Sequence, residues 1–190
     1  IVFKLVIVYY KIGRIHMAYT KALPFISVVI TTKNEEVNID NCLRSITLQT
    51  YPKDRIEIIV IDNNSSDRTK DIAAKYTKNV FNFGPERSAQ RNLGLLEKSH
   101  GDYLLYLDAD MIIAPNLVDG LVASLDSETV AFYIKEVVLG KSFFSKVRRF
   151  ERGFYDGTVI DGTRFFKKTA LAEVGGFDVT LNGPEDWDLD

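Results

Sequence analysis

Two aspartates separated by one small residue, Asp108-Ala109-Asp110, come directly after the apolar run 103–107 (YLLYL). Carboxylates there gain nothing from packing. Their hard oxygens suit Mg²⁺ or Mn²⁺, ions that also take oxygens from a diphosphate. A solvated turn is the plain alternative, because Asp is a common turn residue. Two other polar clusters follow apolar runs in the same way: residues 31–35 (TTKNE) and 62–66 (DNNSS). Asp62 or Asn63 could accept a bond from a nucleobase N–H or a ribose hydroxyl, or could simply make an Asx-turn into a helix. Arg87 and Arg91 flank the start of a predicted helix whose N-terminus is itself an anion site; solvation at the surface is the competing reading. Near the end, Glu185-Asp186-Trp187-Asp188 crowds three carboxylates around the only tryptophan. Crowding of like charges raises one carboxyl pKa toward that of a useful general base, and Trp187 offers a flat face on which a sugar can rest. An acidic terminal loop is the alternative.

These groups need elements to bring them together. Residues 25–31 (FISVVIT) and 56–61 (IEIIVI) are β-branched runs that predict fully buried strands, joined by weaker strands at 80–83 and 163–166 and by 103–107. A strand is also expected over 130–139. Residues 34–36 are expected to open a helix with Ile39, Leu43 and Ile46 on one apolar face, ended by Thr50-Tyr51-Pro52. Ser66 is the predicted N-cap of a helix to about Tyr76. Further helices are expected over 88–99, closed by Gly101; over 115–125, opened by Pro115; and from Thr169 to Gly175-Gly176. Strand and helix alternate, which implies an α/β fold with a mostly parallel central sheet and helices on both faces. In such sheets ligands bind beyond the carboxyl ends of the strands. The three clusters should therefore converge on one rim.

The composition narrows the classes. A chain of 190 residues, 46% hydrophobic and 26% charged, is that of an ordinary globular domain. Its 24 basic and 26 acidic residues leave a formal charge of −2, without the basic excess of a nucleic-acid binder. The lone Cys42 points to a reducing compartment, hence a cytoplasmic location. With only two histidines beside it, a Cys/His zinc site is not expected. Neither a GxGxxG fingerprint nor a GxxxxGK[ST] loop is present, which argues against dehydrogenases and P-loop NTPases. Residues 1–23 form an N-terminal extension of uncertain status: the apolar run 1–10 is too short to span a bilayer and reads as the tail of an upstream segment or an edge strand. The domain spans 24–190 and is expected to be incomplete at its C-terminus. Residues 141–155 (KSFFSKVRRFERGFY) are basic and aromatic, with Phe143, Val147, Phe150 and Phe154 at helical spacing. They are expected either to line the acceptor side or to touch an anionic membrane surface; the alternative is an ordinary amphipathic packing helix.

Together these residues resemble family 2 glycosyltransferases of the GT-A (Rossmann-like) fold, over about residues 25–190. FISVVITTKNEEVNIDNCLRSITLQTYP is similar to that family's opening strand and helix, where a Pro-Thr-Tyr-Asn-Glu type segment is usual; here it reads Thr31-Thr32-Lys33-Asn34-Glu35. IEIIVIDNNSSDRT is similar to the second motif, with Asn63 in place of the second aspartate, the usual partner of a uracil ring. RSAQRNLGLLEKSHGDYLLYLDADM looks like the approach to the metal motif, with Arg87 in a nucleotide-binding position. GTRFFKKTALAEVGGFD resembles the acceptor-side strand and helix, and GPEDWDLD matches the catalytic-base motif.

The resemblance implies an inverting transfer from a nucleotide-sugar donor (UDP-sugar first, GDP- or dTDP-sugar otherwise) to a hydroxyl on a glycan, polysaccharide or lipid. Cell-envelope glycan synthesis at the cytoplasmic face of the membrane would be its setting. Thr31, Glu35, Asp62, Asn63, Arg87, Asp108 and Ala109 would bind the donor. Asp108 and Asp110 would hold Mg²⁺ or Mn²⁺, and Asp186, with Glu185 beside it, would act as the base. A sugar-phosphate nucleotidyltransferase, which would want a Gly-rich loop after the first strand, and a non-catalytic nucleotide-sugar or glycan-binding module are the competing classes.

Overall fold

The computed structural model describes residues 3–6, 22–140, 142–152 and 163–180. Among these, six strands form the main sheet in the order β4-β3-β2-β5-β9-β7: Val80–Asn82 (β4), Ile56–Asp62 (β3), Ile26–Thr32 (β2), Tyr103–Asp108 (β5), Thr163–Lys167 (β9) and Ala131–Tyr133 (β7). The first four are mutually parallel, while β9 runs antiparallel to both β5 and β7. The expected α/β class and mostly parallel sheet are what the chain adopts.

Side chains alternate across this sheet, and so build two cores. Ile26, Val28, Ile30, Val60, Leu105 and Leu107 share one face. Against them lie Ile39–Thr47 (α1), through the predicted Ile39, Leu43 and Ile46 together with Cys42, and Leu117–Ala123 (α4). Val29, Ile59, Ile61, Leu104 and Tyr106 share the opposite face, covered by Leu95, Leu171 and Phe177. Leu95 lies in the π-helical stretch Leu93–Lys98 that continues Arg87–Asn92 (α3), and Leu171 in Lys168–Glu173 (α6). The expected single helix over 88–99 is therefore two geometries in succession. Gly94 marks the junction: a Cβ there would run into Val29 Cγ1, so the helix reaches the sheet only because this position is bare.

Several boundaries differ from expectation for physical reasons. The helix expected to open at residues 34–36 begins at Ile39, because Asn34 sits at positive φ and residues 35–38 make a turn in which the Glu35 carbonyl accepts from the Asn38 and Ile39 N–H groups; Ser65, Thr69 and Asp67 hold this loop through the N–H groups of Asn34, Glu35 and Glu36. Ser66 does not cap; α2 is Thr69–Ala73, and Ser66 instead donates to Asn34. The fourth helix starts two residues past Pro115, whose carbonyl accepts from the Thr50 N–H.

The stretch 130–139 is two strands rather than one. β7 stays in the main sheet, and Glu136–Leu139 (β8) crosses to a three-stranded sheet ordered β6-β1-β8, with β6 at Met111–Ile113 and β1 at Phe3–Val6. Strand β1 pairs on both sides, parallel to β6 and antiparallel to β8, so it is central and not the edge strand considered for this run. A fifth helix, Phe143–Arg152 (α5), follows β8.

Candidate functional site

The register of the parallel strands decides which residues meet. Thr31 lies beside Asp108 on one side and Ile61 on the other, and Thr32 beside Asp62. The ends of β2, β3 and β5 thus stop level, and the clusters 31–35, 62–66 and 108–110 share one rim of the sheet. That is the convergence the strand order implied.

Two of the clusters are stitched into one loop assembly. Asn34 N–H donates to Ser65 Oγ at 2.7 Å, and Asn34 Oδ1 accepts from Ser66 N–H at 2.9 Å. Glu35 N–H donates to Thr69 Oγ1 at 2.8 Å, and Glu36 accepts from Arg68. Asn34 and Asn64 both sit at positive φ (52° and 51°), a region that asparagine visits more readily than most residues.

Asp62 is fully buried, and its two oxygens accept from Ser65 N–H and Oγ at 2.7 and 2.6 Å. Its carboxylate holds the turn. Asn63 next to it donates its amide to the Pro85 carbonyl at 2.8 Å, and its Oδ1 lies so close to Gly84 that a side chain at 84 would displace it. Glu35 Oε2 accepts from Asn38 at 2.7 Å.

Asp108 stands at the mouth of a buried charge cluster. Arg91 Nη2 lies 3.6 Å from its Oδ1, and Arg164 Nη2 3.6 Å from its Oδ2. Arg164 also pairs with Glu136, its Nε donating to Oε1 at 2.7 Å. Among the described residues, two arginines thus meet two carboxylates, and pairing of opposite charges is how such groups are tolerated beneath a surface. Tyr106 lies between the guanidinium groups, with Arg91 Cζ 4.5 Å and Arg164 Cζ 4.8 Å from its ring centroid.

Arg91 corrects one expectation. It neither flanks the helix start nor meets solvent; it sits in the last turn of α3 at 0% exposure. Arg87 does open that helix and is exposed.

Asp110 follows in the turn after β5 and is half-buried, whereas Ala109 between the two aspartates is buried in the first core. Both carboxylates act on one reporter. The Cys42 thiol, buried in α1 with the Asp108 carbonyl 3.8 Å from its Sγ, is held far above the usual thiol pKa by burial first and then by the charges of Asp108 and Asp110. Asp108 and Asp110 thus both act electrostatically on the Cys42 thiol beneath the rim.

Sequence reasoning missed Arg164, Glu136 and Tyr106. A charge in the middle of TRFFK was the available signal. Glu185, Asp186, Trp187 and Asp188 lie outside the described residues. At the other end of the strands Ser27, Glu57 and His100 form a separate hydrogen-bonded group, far along β2 and β3 from the rim. Among the described residues no helix is long and apolar enough to cross a membrane.

Comparison with known proteins bears on the same region. The sequence model of the family "Glycosyl transferase family 2" matches residues 27–176. Glycosyltransferase AglE of Haloferax volcanii is 43% identical over 98 residues, covering 48% of this chain and 32% of the relative. A beta-monoglucosyldiacylglycerol synthase of Trichormus variabilis is 32% identical over 117 residues, 57% of this chain and 25% of the relative. These alignments span a third or less of the relatives' own length. Among solved structures, the mannosyltransferase PcManGT of Pyrobaculum calidifontis, in complex with GDP-Man and Mn²⁺, superposes with a TM-score of 0.65 at 21% identity, over 87% of this chain and 50% of that one. Staphylococcus aureus TarS 1-349 in complex with UDP gives 0.62 at 19% identity, over 86% and 53%. The shared fold is GT-A.

Proposed function

The chain belongs to glycosyl transferase family 2, and from that premise we propose that its rim binds a nucleotide-sugar donor and that the whole protein transfers the sugar, with inversion, to a hydroxyl of a glycan, polysaccharide or lipid. The observation that carries this reading is the level ending of three parallel strands, which sets Thr31 beside Asp108 and Thr32 beside Asp62. Solved structures of this fold hold UDP, or GDP-Man with Mn²⁺, so a nucleoside diphosphate is the moiety the site is taken to grip.

Each side chain then has a task. Asn63, with Thr31 and the stitched loop 34–36, offers hydrogen-bonding groups for base and ribose, and Asp62 keeps that loop in shape. Glu35 steadies the same loop through Asn38. Arg87, exposed at the start of α3, supplies positive charge for the diphosphate. The donor set also fits a hard divalent cation. Asp110 and Asp108 supply carboxylate oxygens and leave the remaining positions to other oxygens, the usual pattern for Mg²⁺ or Mn²⁺ beside a phosphate. Asp110 would be the principal ligand, because Asp108 already faces two guanidinium groups. When bound, the cation would neutralise charge on the departing nucleoside diphosphate. Asp186 would remove the proton from the acceptor hydroxyl, with Glu185 gripping the acceptor, and the attack comes from the face opposite the leaving group.

Calorimetry with UDP and GDP, each with and without Mn²⁺, tests the proposal. One nucleotide should bind in a metal-dependent way, and Asp110→Asn should remove the metal dependence while leaving the thermal midpoint of the free protein nearly unchanged. Unaltered metal dependence in that variant would refute the role given to Asp110; absence of nucleotide binding to the wild-type chain would refute the donor site.

A further inference from the structure

Helix α5 is mounted the wrong way round for a packing helix. Ser142 caps it, its Oγ accepting from Ser145 N–H at 3.1 Å. The side turned to the protein is polar. Ser145 is only 4% exposed and fits against Gly140, where any side chain would strike its Oγ. One turn on, Arg149 donates from Nε to the Val138 carbonyl at 2.7 Å and from Nη2 to the Gly140 carbonyl at 3.0 Å. Those contacts fasten the helix to strand β8 through hydrogen bonds.

At 100° per residue, Ser145 and Arg149 point to one side, and Phe143 and Val147 to the other. Phe143 is 74% exposed and Phe144 80%, their rings meeting edge to face at 5.9 Å, and Val147 continues the exposed strip. Lys146 and Arg148 border it, and both are exposed. Within the helix, Lys146, Arg148, Arg149 and Arg152 outnumber the single acid Glu151, although the whole chain carries a charge of −2. Largely exposed phenylalanines on a short helix lose most of the benefit of burial, and here a local excess of positive charge surrounds them.

We propose that α5 docks on an anionic lipid surface, with Phe143, Phe144 and Val147 entering the headgroup–acyl boundary and Lys146 and Arg148 facing lipid phosphates. Aromatic insertion beside flanking cations is the pattern of helices that lie in a bilayer interface, and each basic residue near an anionic surface adds electrostatic attraction that salt weakens. The charge of the strip selects this occupant over an uncharged apolar partner. The inference stands on this surface alone, so it survives or fails independently of the donor chemistry.

Flotation of the purified chain with vesicles tests it. Phosphatidylglycerol–phosphatidylcholine vesicles should carry the protein upward, whereas pure phosphatidylcholine vesicles should not, and raising the salt should release it. Phe143→Ser/Phe144→Ser should lower the bound fraction at least about tenfold. Lys146→Glu/Arg148→Glu should lower it by about fivefold or more for each charge, as expected of basic residues at an anionic surface. All four side chains are exposed, so circular dichroism melts of both variants should match the wild type; should either misfold, the lipid and salt dependence of the wild type still decides. No flotation with anionic vesicles, or equal flotation with neutral ones, overturns the proposal. So does a wild-type dimer in sedimentation that Phe143→Ser/Phe144→Ser dissolves, since the strip would then be an interface between two copies.

Discussion

Removing one member of the Arg91–Asp108–Arg164–Glu136 cluster leaves an uncompensated charge behind closed walls. Arg164→Met should destabilise the protein by about 3–5 kcal/mol, the usual cost of breaking a buried pair from one side. Arg164→Met/Glu136→Leu should recover most of that loss, because both charges then vanish together. Urea unfolding of the two variants and the wild type distinguishes the cases, and a double variant as weak as the single one would mean the arginine matters through Asp108 rather than Glu136. At Asp186 the expectation is kinetic instead. The base role proposed for Asp186 would act mainly in the transition state, so Asp186→Asn should cut kcat by roughly 10²–10⁴-fold with donor affinity nearly unchanged. If Asp186→Asn keeps its turnover while Asp188→Asn loses it, the base is Asp188.

Elements come within reach of one another through small residues at several places, and Gly94 is the one where a helix meets the main sheet. Alanine normally favours a helix over glycine by about 1 kcal/mol, yet at 94 the added methyl meets Val29 in the sheet. Gly94→Ala should therefore lose stability, by about 1–3 kcal/mol as for other overpacked cores; a gain in the thermal midpoint would mean the helix can back away. The same paths decide what could be read from sequence. Strands β2, β3 and β5 were legible because nearly continuous apolar runs, β-branched in β2 and β3 and Leu/Tyr in β5, mark a sheet covered on both faces, and Ile39, Leu43 and Ile46 because a 3.6-residue period is local. The start of α1 was not, since Asn34 to Glu36 look like helix N-terminal residues, whereas Asn34 takes a positive φ in a loop that Ser65, Asp67 and Thr69 hold from thirty residues away. The division of 130–139 into β7 and β8 was equally hidden, because the chain changes sheets without a glycine or proline to announce it. Arg91 reads as a surface charge on its own helix; only Tyr106, Phe177 and Asp108, from two other parts of the chain, explain its burial.

At the scale of the whole molecule, the site is an edge where distant segments end at the same height, with two cores behind it. Cys42 lies in the first of these cores, directly beneath Asp108, and it is the only thiol in the chain. Its folded-state pKa is raised by burial and then by Asp108 and Asp110, and burial likewise raises Tyr76 and Tyr103. Groups shifted upward keep their protons longer when folded than when unfolded. Their contribution is complete below the unfolded values and is lost as pH rises toward the folded ones, so stability should begin to decline above about pH 8.5, where an unfolded thiol ionises. Urea midpoints taken from pH 7 to 10 check the sign; a midpoint that rises over this window contradicts it.

The same burial makes Cys42 a clock for opening. A thiol reagent added to the native protein can react only when the core parts, so the modification rate counts excursions of the fold rather than chemistry at its surface. A ligand that holds the rim closed must cut that rate to the fraction of molecules it leaves unoccupied. At a nucleotide concentration a hundredfold above its Kd, modification through global opening should be about a hundredfold slower. The thiol would then report occupancy of the proposed donor site with no acceptor, no turnover and no label. A rate indifferent to nucleotide and Mn²⁺ would mean that the folded rim does not hold them.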